Sequence, residues 1–114
     1  MEKVTAKELN DAAMQIILHA GNCRNLLNEA LLDLENDIEE DLIDKKIKAA
    51  KSEITMAHKV QTDMIQSTIE NEELQTTLLF THAQDTLMTI NSEMNMSHHI
   101  IRLYRKLKNK EESV

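Results

Sequence analysis

His82 and Asp85 stand three residues apart, which on a helix is about one turn and puts an imidazole and a carboxylate on one side of the rod. Thr89 follows on the same side, and the stretch around it is rich in Leu and Met. Where such a face meets identical copies of itself, like carboxylates raise one another's pKa or collect a cation. A metal ion shared by copies of Asp85 is therefore one chemistry this spacing allows. The other candidates carry less. His98 and His99 are adjacent, and neighbouring helical residues point about 100° apart, so one regular helix cannot offer both to one metal. His19 and His58 are single and read as surface or boundary residues. Cys23 is the only cysteine, so no intramolecular disulfide can form, which fits a reducing compartment. There is no HExxH and no Cys/His zinc spacing. A Ser/His/Asp triad cannot be read from residue order, because triads are defined by geometry.

The elements that carry these residues follow from composition. The 114 residues, a length suited to one domain spanning 1–114, include no proline, one glycine (Gly21) and two aromatics, Phe80 and Tyr104. An all-β fold needs turn residues and aromatic strand formers, so it is excluded. A Gly-rich phosphate loop is excluded on the same count. Charged residues make up 29% and apolar ones 41%, a globular balance rather than a disordered one. The fold class expected is all-α.

The formal net charge of −7 argues against general nucleic-acid binding. Eight acids and no base lie between Glu29 and Asp44, and five bases and no acid between Arg102 and Lys110. Both read as solvated helix surface. The basic run also suits a helix C-terminus, where cations offset the macrodipole, and a docking role for it stays open. The opening Met-Glu-Lys-Val-Thr has no signal-peptide h-region. The longest apolar runs, such as Ile16-Ile17-Leu18, are three residues, too short for a membrane span. A soluble, cytoplasmic protein is expected.

The apolar spacing predicts three helices. The first runs from about Thr5 to Glu35, with Thr5 as cap and Glu8 as its capping-box partner. Its stripe is Ala13, Ile16, Ala20, Cys23, Leu27, Ala30 and Leu34, widened by Met14, Ile17 and Leu31. Gly21 interrupts it at a cost of ~1 kcal/mol relative to Ala, so close packing by a neighbour is expected there. After a break near Glu35-Asn36-Asp37, the second helix runs from about Ile38 to Ile69, with Ile43, Ile47, Ala50, Ile54, Ala57, Gln61 and Met64 at heptad spacing. After Asn71-Glu72-Glu73, the third runs from about Leu74 to Asn109. Helices of ~30 residues are ~45 Å long, and short connections make them antiparallel neighbours in a three-helix bundle.

Helix three has two apolar faces. Phe80, Ala83, Leu87, Ile90, Met94, Ser97, Ile101 and Tyr104 form one stripe, which can fill the core. Leu78, Met96, Ile100, Leu103 and Leu107 lie roughly 100–160° from its centre, on the side of His82 and Asp85. A three-helix bundle buries one side of each helix, so the second side calls for copies of the chain about a symmetry axis, or is a wide face padded with Met and Leu.

Leu79-Phe80-Thr81-His82-Ala83-Gln84-Asp85-Thr86-Leu87-Met88-Thr89 resembles the HAQDHLMT signature of the lactose/cellobiose (chitobiose)-type enzyme IIA proteins of the bacterial sugar phosphotransferase system. Ile17-Leu18-His19-Ala20-Gly21-Asn22-Cys23-Arg24 is similar to that family's first-helix segment. Ala57-His58-Lys59-Val60-Gln61-Thr62 is similar to its AHxxQT segment, and Ile100 to Leu107 to its C-terminal end. The similarity covers nearly the whole chain, in order. Two departures stand out: Thr86 replaces the family's second histidine, and Asn36-Asp37-Ile38 replaces its usual Gly-Asp-Phe.

The resemblance implies an antiparallel three-helix bundle assembled as a homotrimer. It implies that His82 is the phosphorylated histidine, and that three Asp85 side chains hold one divalent ion, Mg²⁺, on the trimer axis. The chain would take phosphate from phospho-HPr and pass it to a cysteine of a IIB protein, while the membrane IIC component imports a β-linked disaccharide. Gln84 would be a hydrogen-bond donor near the phosphate. The competing readings are a helical oligomerisation or adaptor protein without chemistry, and a histidine phosphotransfer domain. The latter lacks here its Lys-Gly pair after the histidine and its fourth helix.

Overall fold

The computed structural model describes residues 4–69 and 75–112. The described residues form three helices: α1 (Ala6–Glu35), α2 (Glu40–Ile69) and α3 (Leu78–Glu112). Thr5 caps α1, its hydroxyl accepting from the Glu8 N–H at 3.1 Å. The Glu8 carboxylate instead accepts from that hydroxyl, so the capping box is half made. Every residue of the expected α1 stripe is buried, as is Leu9. Ile17 and Leu31 flank it half-buried, but Met14 lies exposed.

α1 is the spine. It packs along both α2 and α3, which touch each other little. His19 to Glu53 and Asp33 to Lys46, each 2.6 Å, run in opposite chain order and make α1 and α2 antiparallel. Arg24 to Glu93 and Asp37 to Lys108 run in the same order, so α1 and α3 are parallel. Phe80, Ala83, Leu87, Ile90, Met94, Ser97 and Ile101 face inward as expected.

The α1–α2 turn works without glycine. Asp37 takes the left-handed conformation at φ 55°. The Ile38 N–H reaches the Asp33 carbonyl at 3.0 Å and the Asp37 N–H that of Leu34 at 3.3 Å. That pair of bonds is the Schellman ending, and Asp is one of the few side chains that tolerates its left-handed position. The turn delays α2 to Glu40, two residues past the expected start.

The expected break at residues 71–73, and Leu74 as the start of helix three, lie outside the described residues. Gln75 to Thr77 are not helical, and α3 opens at Leu78, where the Thr77 hydroxyl accepts from the Phe80 N–H at 3.1 Å. α3 then runs three residues beyond the expected Asn109.

One expectation is corrected. Nothing lies within 4 Å of where a Gly21 side chain would begin, so no neighbour within the chain requires that glycine. At 100° per residue it falls roughly 130° from the centre of the buried α1 stripe. The charge runs are mostly exposed, as expected, and they also meet each other. Arg105 of the basic run contacts Asp44 at 2.9 Å and Glu40 at 3.5 Å, and Lys108 contacts Asp37 at 3.0 Å.

Candidate functional site

α3 is anchored through its buried stripe, so His82, Asp85 and Thr89 point outward by helical geometry. All three are exposed. Neither the His82 ring nor the Asp85 carboxylate makes a hydrogen bond or ion pair among the described residues. The surrounding face is apolar and open: Leu78, one turn before His82, is 87% exposed. Met96, Ile100, Leu103 and Leu107 continue this exposed face toward the C-terminus, so the second apolar side of helix three is present as expected. A chain that leaves so many large apolar side chains in water along one line carries the surface of an interaction site.

Beside this face an open groove of about 680 Å³ runs between α1 and α3. Leu27, Leu31, Met96 and Ile100 supply its apolar walls. Arg24 and Glu93 bridge its sides through two 2.8 Å hydrogen bonds, Nε to Oε1 and Nη2 to Oε2. This bidentate pair raises the Arg24 pKa further. Sequence reasoning missed it, since nothing local signals a pairing across 69 residues.

Two hydroxyls tie the site backbone. Thr86 Oγ1 donates to the His82 carbonyl at 2.9 Å, and Thr89 Oγ1 to the Asp85 carbonyl at 2.8 Å. Gln84 departs from expectation. Two residues from His82, it points about 160° away around the helix, into a small hollow with Leu9, Ile65 and Phe80. It is not beside the imidazole of its own chain.

Three of the other four histidines have polar partners. His19 Nδ1 lies 2.6 Å from Glu53, which also accepts from the Asn22 amide at 3.5 Å. His58 lies 3.4 Å from Asn91. His99 accepts from Arg102 at 2.8 Å, and His98 is exposed. Cys23 is fully buried, as expected of a packing residue. Among the described residues no three His, Cys, Asp or Glu side chains converge as a metal site. Asp85 is thus not part of such a cluster within the described residues.

Residues 11–105 match the family described as the PTS system, Lactose/Cellobiose specific IIA subunit. This chain belongs to that family. It is a phosphotransferase component of the sugar phosphotransferase system, as its Leu79 to Thr89 segment implied. The lichenan-specific phosphotransferase enzyme IIA component of Bacillus subtilis is 39% identical over 102 residues, 89% of this chain and 91% of that one. Two solved structures share the fold. The cellobiose-specific enzyme IIA of Bacillus anthracis has a TM-score of 0.81 at 34% identity, covering 94% of this chain and 95% of that one. PtcA from S. mutans has a TM-score of 0.82 at 31% identity, covering 90% and 99%. As a IIA subunit the chain acts among HPr, IIB and IIC components. Among the described residues no helix is long and apolar enough to cross a membrane.

Proposed function

We propose that this chain is a cytoplasmic phosphocarrier that takes a phosphoryl group on His82 from phospho-HPr and hands it to a cysteine of a cognate IIB protein. The observation that carries the reading is the exposed His82 on an open, apolar face of α3, inside the segment most like the family signature. A carrier must accept phosphate, keep it from water and release it. A neutral imidazole nitrogen does the first near neutral pH. Its lone pair forms a new N–P bond while the bond from phosphorus to the donor breaks and leaves its electron pair on the donor. In the second transfer a thiolate forms the S–P bond, and the His82 N–P bond breaks with its pair left on the ring. Both steps depend mainly on positioning and charge. An apolar rim of Leu78 and Leu79 suits a docked partner and offers the phosphate no competing nucleophile.

Asp85 has an assembly role in this reading. Three chains pack their α3 outer faces together as a homotrimer, and three Asp85 carboxylates hold one Mg²⁺. Hard carboxylate oxygens suit that ion, and the otherwise unpartnered Asp85 side chain is consistent with it. The ion supplies charge neutralisation between subunits and no chemistry. The substrate of the whole system is a β-linked sugar of the lactose, cellobiose or chitobiose class.

The test is intact mass after incubation with phosphoenolpyruvate, enzyme I and HPr, with wild type beside His82→Ala. A gain of about 80 Da in wild type alone is expected. No gain in either, with folded protein and active donors, returns the chain to a helical adaptor. A gain in both moves the site to another histidine.

A further inference from the structure

We propose that Thr86 is the hydrogen-bond donor to the phosphoryl group on His82, a role that rests on the carrier reading above. A phosphoryl group attached to a ring nitrogen brings roughly two negative charges. They are best met by a nearby polar hydrogen. Within one turn of His82 on this face, Leu78 and Leu79 are apolar and Asp85 is an anion that repels. Thr81 points about 100° away and Gln84 about 160° away. Thr89 is nearly two turns on, about 10 Å along the axis. Of the donors on α3 of the same chain Thr86 remains, one turn from His82 and about 40° around the helix from it.

Its hydroxyl is free to serve. In the unphosphorylated chain it donates to the His82 carbonyl at 2.9 Å. That oxygen already accepts the backbone N–H of Thr86 in the regular helix. The hydroxyl bond is therefore a second one on a satisfied acceptor, and such back-bonding adds little to a helix. Threonine in a helix populates two χ1 rotamers, so the hydroxyl can leave the carbonyl at small cost. Thr86 is half-buried, where a charge-assisted bond is less exposed to competing water. On phosphorylation the hydroxyl turns from carbonyl to phosphoryl oxygen. Its proton stays on Oγ1 and no covalent bond changes at Thr86.

The experiment compares wild type, Thr86→Val, Thr86→Ala, Thr86→Ser and His82→Ala, each equilibrated with phospho-HPr and read by phosphorus NMR. The donor bond stabilises the phosphorylated form, so Thr86→Val and Thr86→Ala should each shift the phosphoryl partition about tenfold toward HPr. They should also move the phosphohistidine resonance. Thr86→Ser should restore both. A wild-type partition and resonance in folded Thr86→Val and Thr86→Ala overturn the role of Thr86 while leaving the carrier intact. No His82-dependent resonance in any variant, including wild type, removes the carrier reading and this role with it.

Discussion

Tyr104 donates a 2.7 Å hydrogen bond to Asp37, and the same carboxylate oxygen takes Lys108 at 3.0 Å. One side chain of the α1–α2 turn thus gathers two residues of α3. The Tyr104 bond, then Lys108, lowers the Asp37 pKa. The bond to Asp37 raises those of Tyr104 and Lys108. A lowered carboxylate contributes stability above its unfolded value, roughly 3.9, and loses it as pH falls through the folded value. A raised phenol or ammonium contributes below its unfolded value, about 10, and loses it as pH rises through the folded value. The node should therefore loosen at both acid and alkaline extremes. Tyr104 is the only tyrosine and there is no tryptophan, so phenolate absorbance reads it directly. Tyr104 should ionise above free tyrosine, and Asp37→Asn should bring it back while keeping a residue that accepts the left-handed turn. An unchanged titration in Asp37→Asn would remove the bond as the cause.

The stripes of α1 and α3 were legible because apolar spacing is a local signal that burial obeys. The two-faced α3, with His82 and Asp85 outward, followed from the same arithmetic. The Asp37 turn was legible only as a break, since a glycine-free Schellman ending depends on a cluster of backbone bonds rather than on a residue type. The meetings of Arg24 with Glu93, and of the Glu29 to Asp44 acids with Arg105 and Lys108, needed the third dimension. Solvated charge runs show no pairing until helix register is known. Gly21 misled because a helical glycine signals close approach only when it faces a neighbour, and this one faces outward.

Burial pushes the Cys23 thiol from its ordinary 9.0 up to about 11, with Glu53 and Glu93 adding repulsion to the thiolate. Between those values the unfolded chain releases a proton that the folded chain keeps. Stability is thus fully present below pH 9 and declines as pH rises toward 11. At neutral pH a thiol-alkylating reagent should leave the native protein unmodified and label the urea-unfolded chain at once. Rapid labelling of the native chain would mean that α1 opens at Cys23.

Asn10 carries a buried side-chain oxygen with no hydrogen-bond partner among the described residues. An unsatisfied buried acceptor costs about 1–3 kcal/mol, and leucine has a similar shape without the polar atoms. Asn10→Leu should raise the urea midpoint at unchanged slope. A lower midpoint would mean that the oxygen is satisfied in solution by water.

If three Asp85 carboxylates share one ion, metal and charge have separable effects on assembly. Chelating the ion from the wild-type protein leaves three like charges facing one another, the worst arrangement for the interface. Asp85→Asn removes both the ion site and the repulsion. Light scattering should then show chelation dissociating wild type more completely than the substitution does, with chelator having no further effect on Asp85→Asn. Added Mg²⁺ should reassemble wild type and leave the variant unmoved. An assembly of unchanged mass in chelator would detach Asp85 from any axial ion and leave the Leu78 to Leu107 face to hold the subunits by apolar burial alone.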